Sequence, residues 1–340
     1  MNTTMIGLDI AKAVFQVHGE DGDGHVVLQR RLGRAAVEKF FALLAPARVG
    51  MEACGSAHHW ARTLRAMGHE VRLIPAAYVK PFVRRNKTDA RDAAAICAAM
   101  RHPDMRTVRI KSVDQSCARG LERARELLVR QRTQLANAMR GLLSELGVVA
   151  PQGLRGMAQL ATLIDAADPA IPPVLLAGVQ ALLAQWRSTG EAIAALEKRL
   201  IERARTDVIM RRLMGVPGIG ALSAHAIVAA IGEGKQFRSA RDFAAWVGLT
   251  PRQHESGNKR RAGGISRHGD NGLRRLLVLG ASAVMRQTRS RPERATAWQT
   301  GILSRRPVKV AVVAQAAKNA RIAWAMLTTG TTYRADAAAA

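Results

Sequence analysis

Acidic residues are scarce in this sequence. Its 340 residues include 26 Asp and Glu against 52 Lys and Arg, a formal net charge of +26. A chain with that excess repels itself unless it meets a polyanion, which makes nucleic acid the leading partner. An Arg- and Ala-rich composition from a GC-rich genome would raise the arginines but would not thin out the acids. Aromatic residues make up only 4%, which argues against base stacking as the main grip and leaves phosphate contacts by Arg and Lys. The three cysteines, Cys54, Cys97 and Cys117, form no CxxC pair and have no histidines at zinc spacing. A disulfide framework or zinc site is not expected, and a reducing cytoplasm fits. The start, MNTTMIGLDI, lacks the basic region and apolar run of a signal peptide. Apolar stretches such as LLVLGASAVM are too short to span a bilayer. No membrane partner is expected, and a cytoplasmic, nucleoid-associated location is.

What is present divides into regions. Residues 1–105 read as an α/β unit. MIGLDIA, AVFQVHG and HVVLQRRL are short strands with the turn GEDGDG among them. A helix over VEKFFALLA follows, then a strand RVGMEA, a helix from about His58 to Met67, a strand EVRLIP and a helix from Thr88 to about Met100. Residues 106–208 carry two long amphipathic helices. One places Leu121, Ala124, Leu128, Leu135, Ala138 and Leu142 on a seam, the other Val179, Leu182, Trp186, Ile193, Leu196 and Leu200. An ordinary hairpin within the chain and a coiled-coil oligomerisation arm both fit that pattern. Residues 209–330 read as a mostly α domain with a basic loop, and 331–340 as a low-complexity, disordered tail.

Four acids stand out in this acid-poor chain. Asp9 ends an apolar strand in IGLDIAK, and Glu52 ends another in VGMEACG. An acid in such a place must be paired, protonated or bound to a cation. Asp89 and Asp92, in NKTDARDA, lie at i and i+3 near a helix start. Helix capping would account for Asp89 alone. Four carboxylates from two strand ends and one helix face can hold one or two Mg²⁺ or Mn²⁺ ions, whose work in a phosphodiester reaction is to stabilise attacking and leaving oxygens.

The C-terminal region carries two further features. LMGVPGIGALSAHAIVAAIG has a helix-hairpin-helix pattern, in which Gly218 and Gly220 would let backbone amides approach a phosphate at a helix N-terminus; a packing turn between helices is the other reading. Next comes a stretch with Arg252, Lys259, Arg260, Arg261, Arg267, Arg274 and Arg275 against only Glu255 and Asp270. Gly257, Gly263, Gly264 and Gly269 make it permissive for close approach, so it reads as a basic loop that clamps a phosphate. Ser256 and Ser266 are its candidate hydroxyls. On residue chemistry alone, donation of a hydrogen bond to phosphate is the commoner role for such a serine.

IGLDIAK, VGMEACG and NKTDARDA, in that order, resemble the DEDD motifs of the bacterial insertion-sequence transposases related to the pilin-inversion recombinase Piv. The resemblance implies an RNase H-like, RuvC-like N-terminal domain with Asp9, Glu52, Asp89 and Asp92 as the metal tetrad. Leu213 to Leu276 is similar to the transposase domain of the same family, and TPRQHESG matches the context of its catalytic serine. That passes the nucleophile's role to Ser256, with Ser266 the fallback; His254 receives no role. The family further implies DNA strand exchange through a phosphoserine link, donor and target double-stranded DNA, a structured bridge RNA encoded by the element, and a homo-oligomer, dimer or tetramer, with tetrad and serine meeting between protomers. Two other readings stand beside it: a resolvase or nuclease that uses the tetrad and water, and a non-catalytic nucleic-acid-binding protein.

Overall fold

The computed structural model describes residues 3–83, 88–256 and 259–334, with the backbone alone at 254–256 and 259–262. The chain forms two compact units that divide between Ser116 and Cys117.

The first unit is a five-stranded mixed sheet covered by helices. Its elements are β1 (Met5–Ile10), β2 (Val14–Glu20), β3 (Val26–Gly33), α1 (Val37–Ala42), β4 (Arg48–Glu52), α2 (Ala57–Ala66), β5 (Glu70–Ile74), α3 (Ala76–Val79) and α4 (Asp89–Arg101). The strands run in the order β3-β2-β1-β4-β5. The first three pair antiparallel, while β1, β4 and β5 pair parallel. Alternation along each strand sorts the side chains by face. Ile6, Leu8, Phe15, Val17, Val49 and Met51 build one core with Val37 and Phe41 of α1 and Trp60 and Leu64 of α2. The opposite face is covered by α4, whose Ile96 and Met100 share a second cluster with Met5 and Ile74.

Two glycines set how closely α4 lies on that face. A Cβ on Gly7 would stand 2.0 Å from the carbonyl oxygen of Ala93, and one on Gly50 would meet Met100 and Ile96 at 2.4 to 2.9 Å. The helix backbone therefore rests on β1 and the helix side chains on β4.

The second unit begins within the long helix α5 (Val113–Ser144) and continues through α6 (Leu154–Asp165), α7 (Pro173–Thr206), α8 (Val208–Leu213), α9 (Ala221–Ile231), α10 (Ala240–Trp246), β6 (Pro251–Ser256), β7 (Lys259–Ile265), α11 (Asn271–Ser290), α12 (Ala297–Arg305) and α13 (Val308–Thr329). Helices α5 and α7 pair antiparallel within the chain. Arg125 bonds Glu197, Arg132 lies against Gly190, and Met139 and Leu143 share a core with Val179 and Leu183 as well as with α6. The intrachain hairpin is thus the observed arrangement. The seam expected on α7 is the inward side: Val179, Ile193 and Leu200 are buried and Leu182, Trp186 and Leu196 partly so. On α5 the expected seam runs out of phase. Leu142 is exposed, and Ala136, Met139 and Leu143 are buried instead, because the helix also packs on α6 and its inward side is set by two neighbours.

A larger core gathers α8 to α11 and α13 around Phe243, Leu273, Leu277, Ile227 and Ala316. The basic stretch expected as a loop is a β-hairpin, β6 paired antiparallel with β7 from Pro251↔Ile265 to Ser256↔Lys259. Gly257 of that stretch and residues 335–340 of the expected tail lie outside the described residues. No helix among the described residues is long and apolar enough to cross a membrane.

Gly7→Ala should cost about 1–3 kcal/mol or more in urea unfolding, because its methyl meets backbone that cannot rotate away. Gly33→Ala, with nothing within 4 Å of the added atom, should change stability little.

Candidate active site

The close seat of α4 decides what happens at the strand ends. Asp9 lies two residues beyond Gly7 on β1, and Glu52 two beyond Gly50 on β4, so each shares its glycine's face. Leu8 pairs with Met51 in the parallel register, which puts Asp9 and Glu52 at the same level one step further on. Helix α4 starts at that level. Asp89 and Asp92 are in its first turn, and Thr88, not Asp89, holds the cap position, without a side-chain cap bond. Capping therefore does not explain Asp89.

One carboxylate oxygen each from Asp9, Asp89 and Asp92 lie within 4.8 Å of one another. Glu52 stands outside that group but close enough to act on Asp9 electrostatically. Asp89 is exposed and the other three are half-buried, so the cluster opens to solvent. Burial, and after it the negative charges of Asp92, Asp89 and Glu52, push the Asp9 carboxyl up to about 6, against a smaller opposing pull from the amide of Ile10. Hard oxygen donors crowded to the point of mutual repulsion are suited to a divalent cation, which relieves that repulsion.

Two other groups of potential ligands have internal explanations. His18, Glu20 and Cys97 cluster in the interior. There Glu20 pairs with His18 and Arg101, and burial pushes the Cys97 thiol up to about 12, so it stays protonated at neutral pH. In the β2–β3 turn, Asp21 accepts the amides of Asp23 and His25, which accounts for its place beside them.

The second unit holds the other expected residues. Ser256 ends β6, paired in register with Lys259. Its side chain and those of His254, Lys259, Arg260 and Arg261 lie outside the described residues. Arg252 and Arg267 are exposed, and Arg252 donates to the carbonyl of Ser266. Arg275 is paired with Glu126 at 3.4 Å. Arg274 departs from the expectation of a phosphate contact: only 8% exposed, it donates to the carbonyls of Val247 (2.9 Å) and His268 (2.7 Å) and to Asn271 Oδ1 (2.8 Å).

Gly218 departs in a similar way. It takes a φ of +87°, and a Cβ there would meet Val284, Asn319 and the carbonyl of Gly280 at 2.9 to 3.0 Å. Asn319 donates to the carbonyl of Pro217. The VPGIG turn is therefore packed on α11 and α13, which favours the packing-turn reading at Gly218, whereas Gly220 is exposed with open space beside it.

The family models match both units. One described as the IS116/IS110/IS902 family transposase covers residues 210–297. A second, a transposase model of the DEDD, IS110 type, covers 6–147. The chain belongs to the IS110 family of insertion-sequence transposases. It is 48% identical over 338 residues to a probable family 20 transposase of Pseudomonas aeruginosa, covering 98% of this chain and 99% of that one. It is 43% identical to the putative transposase y4pF/y4sB of Sinorhizobium fredii, covering 97% and 85% of the two chains. With the transposase of element IS1328 of Yersinia enterocolitica it shares 37% identity, covering 98% and 99%. The activity that goes with the family is DNA strand transfer in transposition.

The chemistry of Asp9 carries a prediction for this transposase. Its carboxyl is raised above its ordinary 3.8 in the folded protein, so the folded state holds that proton more tightly than the unfolded chain does. The stability it contributes is full below about pH 4 and is lost as the pH rises through about 6. In EDTA, Asp9→Asn should remove that decline and melt at a higher temperature than wild type at about pH 7.5. A wild-type midpoint that does not fall across this window would refute the assignment.

Proposed function

We propose that the transposase breaks and rejoins DNA by a two-part site, in which Ser256 is the nucleophile and Asp9, Glu52, Asp89 and Asp92 form the metal half. The convergence of Asp9, Asp89 and Asp92 within 4.8 Å at the strand ends carries the reading. The strand order 3-2-1-4-5, antiparallel then parallel, supports an RNase H-like, RuvC-like domain. Asp9, Asp89 and Asp92, with Glu52 beside them, would hold Mg²⁺ or Mn²⁺, which would supply charge stabilisation to the phosphate and the leaving oxygen.

The serine oxygen forms a bond to the scissile phosphorus, and the bond from phosphorus to one deoxyribose oxygen breaks. The electron pair stays on that sugar oxygen, which takes up a proton, and the serine hydroxyl gives its own proton to solvent. The phosphodiester energy is conserved in the phosphoserine link, so a second sugar hydroxyl can reverse the step on a new partner without ATP. Arg252, Lys259, Arg260, Arg261 and Arg267 supply positive charge on and beside the hairpin for the phosphate backbone. Gly220, open at the start of α9, is the remaining helix-hairpin-helix contact for a phosphate. The substrates are donor and target duplexes, selected by a structured bridge RNA from the same element. With so few aromatic residues, sequence reading by base pairing suits this chain better than stacking does. Exchange between two duplexes needs a homo-oligomer, dimer or tetramer, and the long α5–α7 hairpin arm is its expected interface. The site of action is the nucleoid in the cytoplasm.

The adduct is the deciding observable. Wild-type protein with its co-purifying RNA, given Mg²⁺ and a plasmid carrying the insertion sequence, should yield a denaturant-resistant protein–DNA adduct that is absent in Ser256→Ala. Free ends produced equally well by Ser256→Ala would instead establish a nuclease that activates water at the carboxylates.

The composite site should form between protomers. Asp9→Ala and Ser256→Ala, each inactive alone, should regain cutting when co-assembled, and a mixture that stays inactive would place both halves in one chain.

A further inference from the structure

The β6–β7 hairpin pairs with no other strand among the described residues, so its direction is set where it joins the helices. We infer that Arg274 and Asp270 are positioning residues for this hairpin, holding its base and so setting where the end of β6 lies; the catalytic part of this rests on Ser256 as nucleophile.

The base is a clamp between the chain entering the hairpin and the chain leaving it. The amide of Ser266 donates to Thr250 at 2.9 Å, and that of Arg267 to Gly248 at 3.3 Å. Both crossing points need glycine. Gly248 has φ +80° and would put a Cβ 2.4 Å from the carbonyl oxygen of His268; Gly269 has φ +71° and would put one 1.8 Å from that of Trp246. Arg274 closes the clamp. One terminal nitrogen of its guanidinium donates to Val247 on the entering side and to His268 on the leaving side, while the other holds Asn271. A guanidinium offers this fork and an ammonium does not.

Asp270 ties the clamp to the helical frame. One of its oxygens caps α11 by accepting the amide of Leu273 at 2.9 Å. The other pairs with Arg119 of α5, which also bonds Glu122. Glu122 in turn lies 2.7 Å from Nδ1 of the buried His225 of α9. Three helices therefore fix the point from which the hairpin leaves.

Leverage gives this arrangement a catalytic consequence. A six-residue strand is about 20 Å long, so a tilt of about 5° at the base moves its far end by nearly 2 Å. A misplacement of about 1 Å at a reacting group can cost roughly a hundredfold in rate.

Asp270→Asn and Arg274→Lys test this with the full-length protein and its co-purifying RNA. Asparagine keeps the helix cap and loses the charge that pairs with Arg119; lysine keeps the charge of Arg274 and loses its fork. Three readouts are taken on each variant: affinity for a plasmid carrying the insertion sequence, the single-turnover rate of adduct formation on it, and deuterium uptake in peptides over 247–270 and over α13. The expected result is affinity within about twofold of wild type and adduct formation slowed at least about tenfold. Uptake should rise over 247–270 with α13 unchanged. Adduct formation at the wild-type rate, or affinity, rate and α13 protection falling together, would overturn the proposal. Because deuterium uptake does not depend on which group attacks, a Ser256→Ala protein that still cleaves would refute the nucleophile while leaving the clamp to be judged by exchange. If Arg274→Lys does not fold, Asp270→Asn decides alone.

Discussion

Helix α4 can rest on the sheet at backbone distance because Gly7 has no side chain, and its Ile96 and Met100 can lie over β4 because Gly50 has none. The site in the first unit follows from that contact. It brings the start of α4 to the ends of β1 and β4, where three carboxylates come within 4.8 Å. Burial, and after it the repulsion among the carboxylates, raises the carboxyl of Asp9. Such an arrangement costs stability in the absence of a counter-charge, and the hydrophobic cluster under α4 has to carry that cost.

The positive charge of the chain has more than one use. A net +26 suggests a surface covered in phosphate contacts, yet several arginines are committed internally. Arg274 is buried among carbonyls, and Arg119, Arg125 and Arg275 bind Asp270, Glu197 and Glu126. Asp270, Glu197 and Glu126 thus join helices of the second unit by charge. This leaves the exposed Arg252 and Arg267 as the described members of the hairpin group that face solvent, and it separates residues that grip from residues that hold the gripping element in place.

Much of the first unit was legible because a strand buried on one face alternates and a surface helix repeats every three or four residues. The strands around IGLDIAK, FQVHG and GMEA and the helix after Thr88 all lie where those periods put them. The second unit was harder. Leu142 satisfies a heptad on α5 but faces solvent, since α6 as well as α7 covers that helix. The stretch after Thr250 looked like a loop because its glycines and arginines give no apolar alternation, and the β6–β7 hairpin forms through backbone pairing that such side chains do not signal. Asp270 drew notice only as one of two acids in a basic run, since its partner Arg119 lies 151 positions away.

By itself the sequence determined the family, the mixed α/β first unit, the helical character of the rest and the identity of the unusual acids. These depend on residue type and local period, which a linear reading preserves. Only the tertiary structure decided which acids meet. Asp9, Asp89 and Asp92 form the tight group and Glu52 stands beside it, because the distance between a strand end and a helix turn is set by how α4 packs. It also turned Arg274 and Gly218 from expected phosphate contacts into internal supports. Whether an arginine or a glycine faces solvent depends on neighbours far along the chain, and residue type alone does not carry that information.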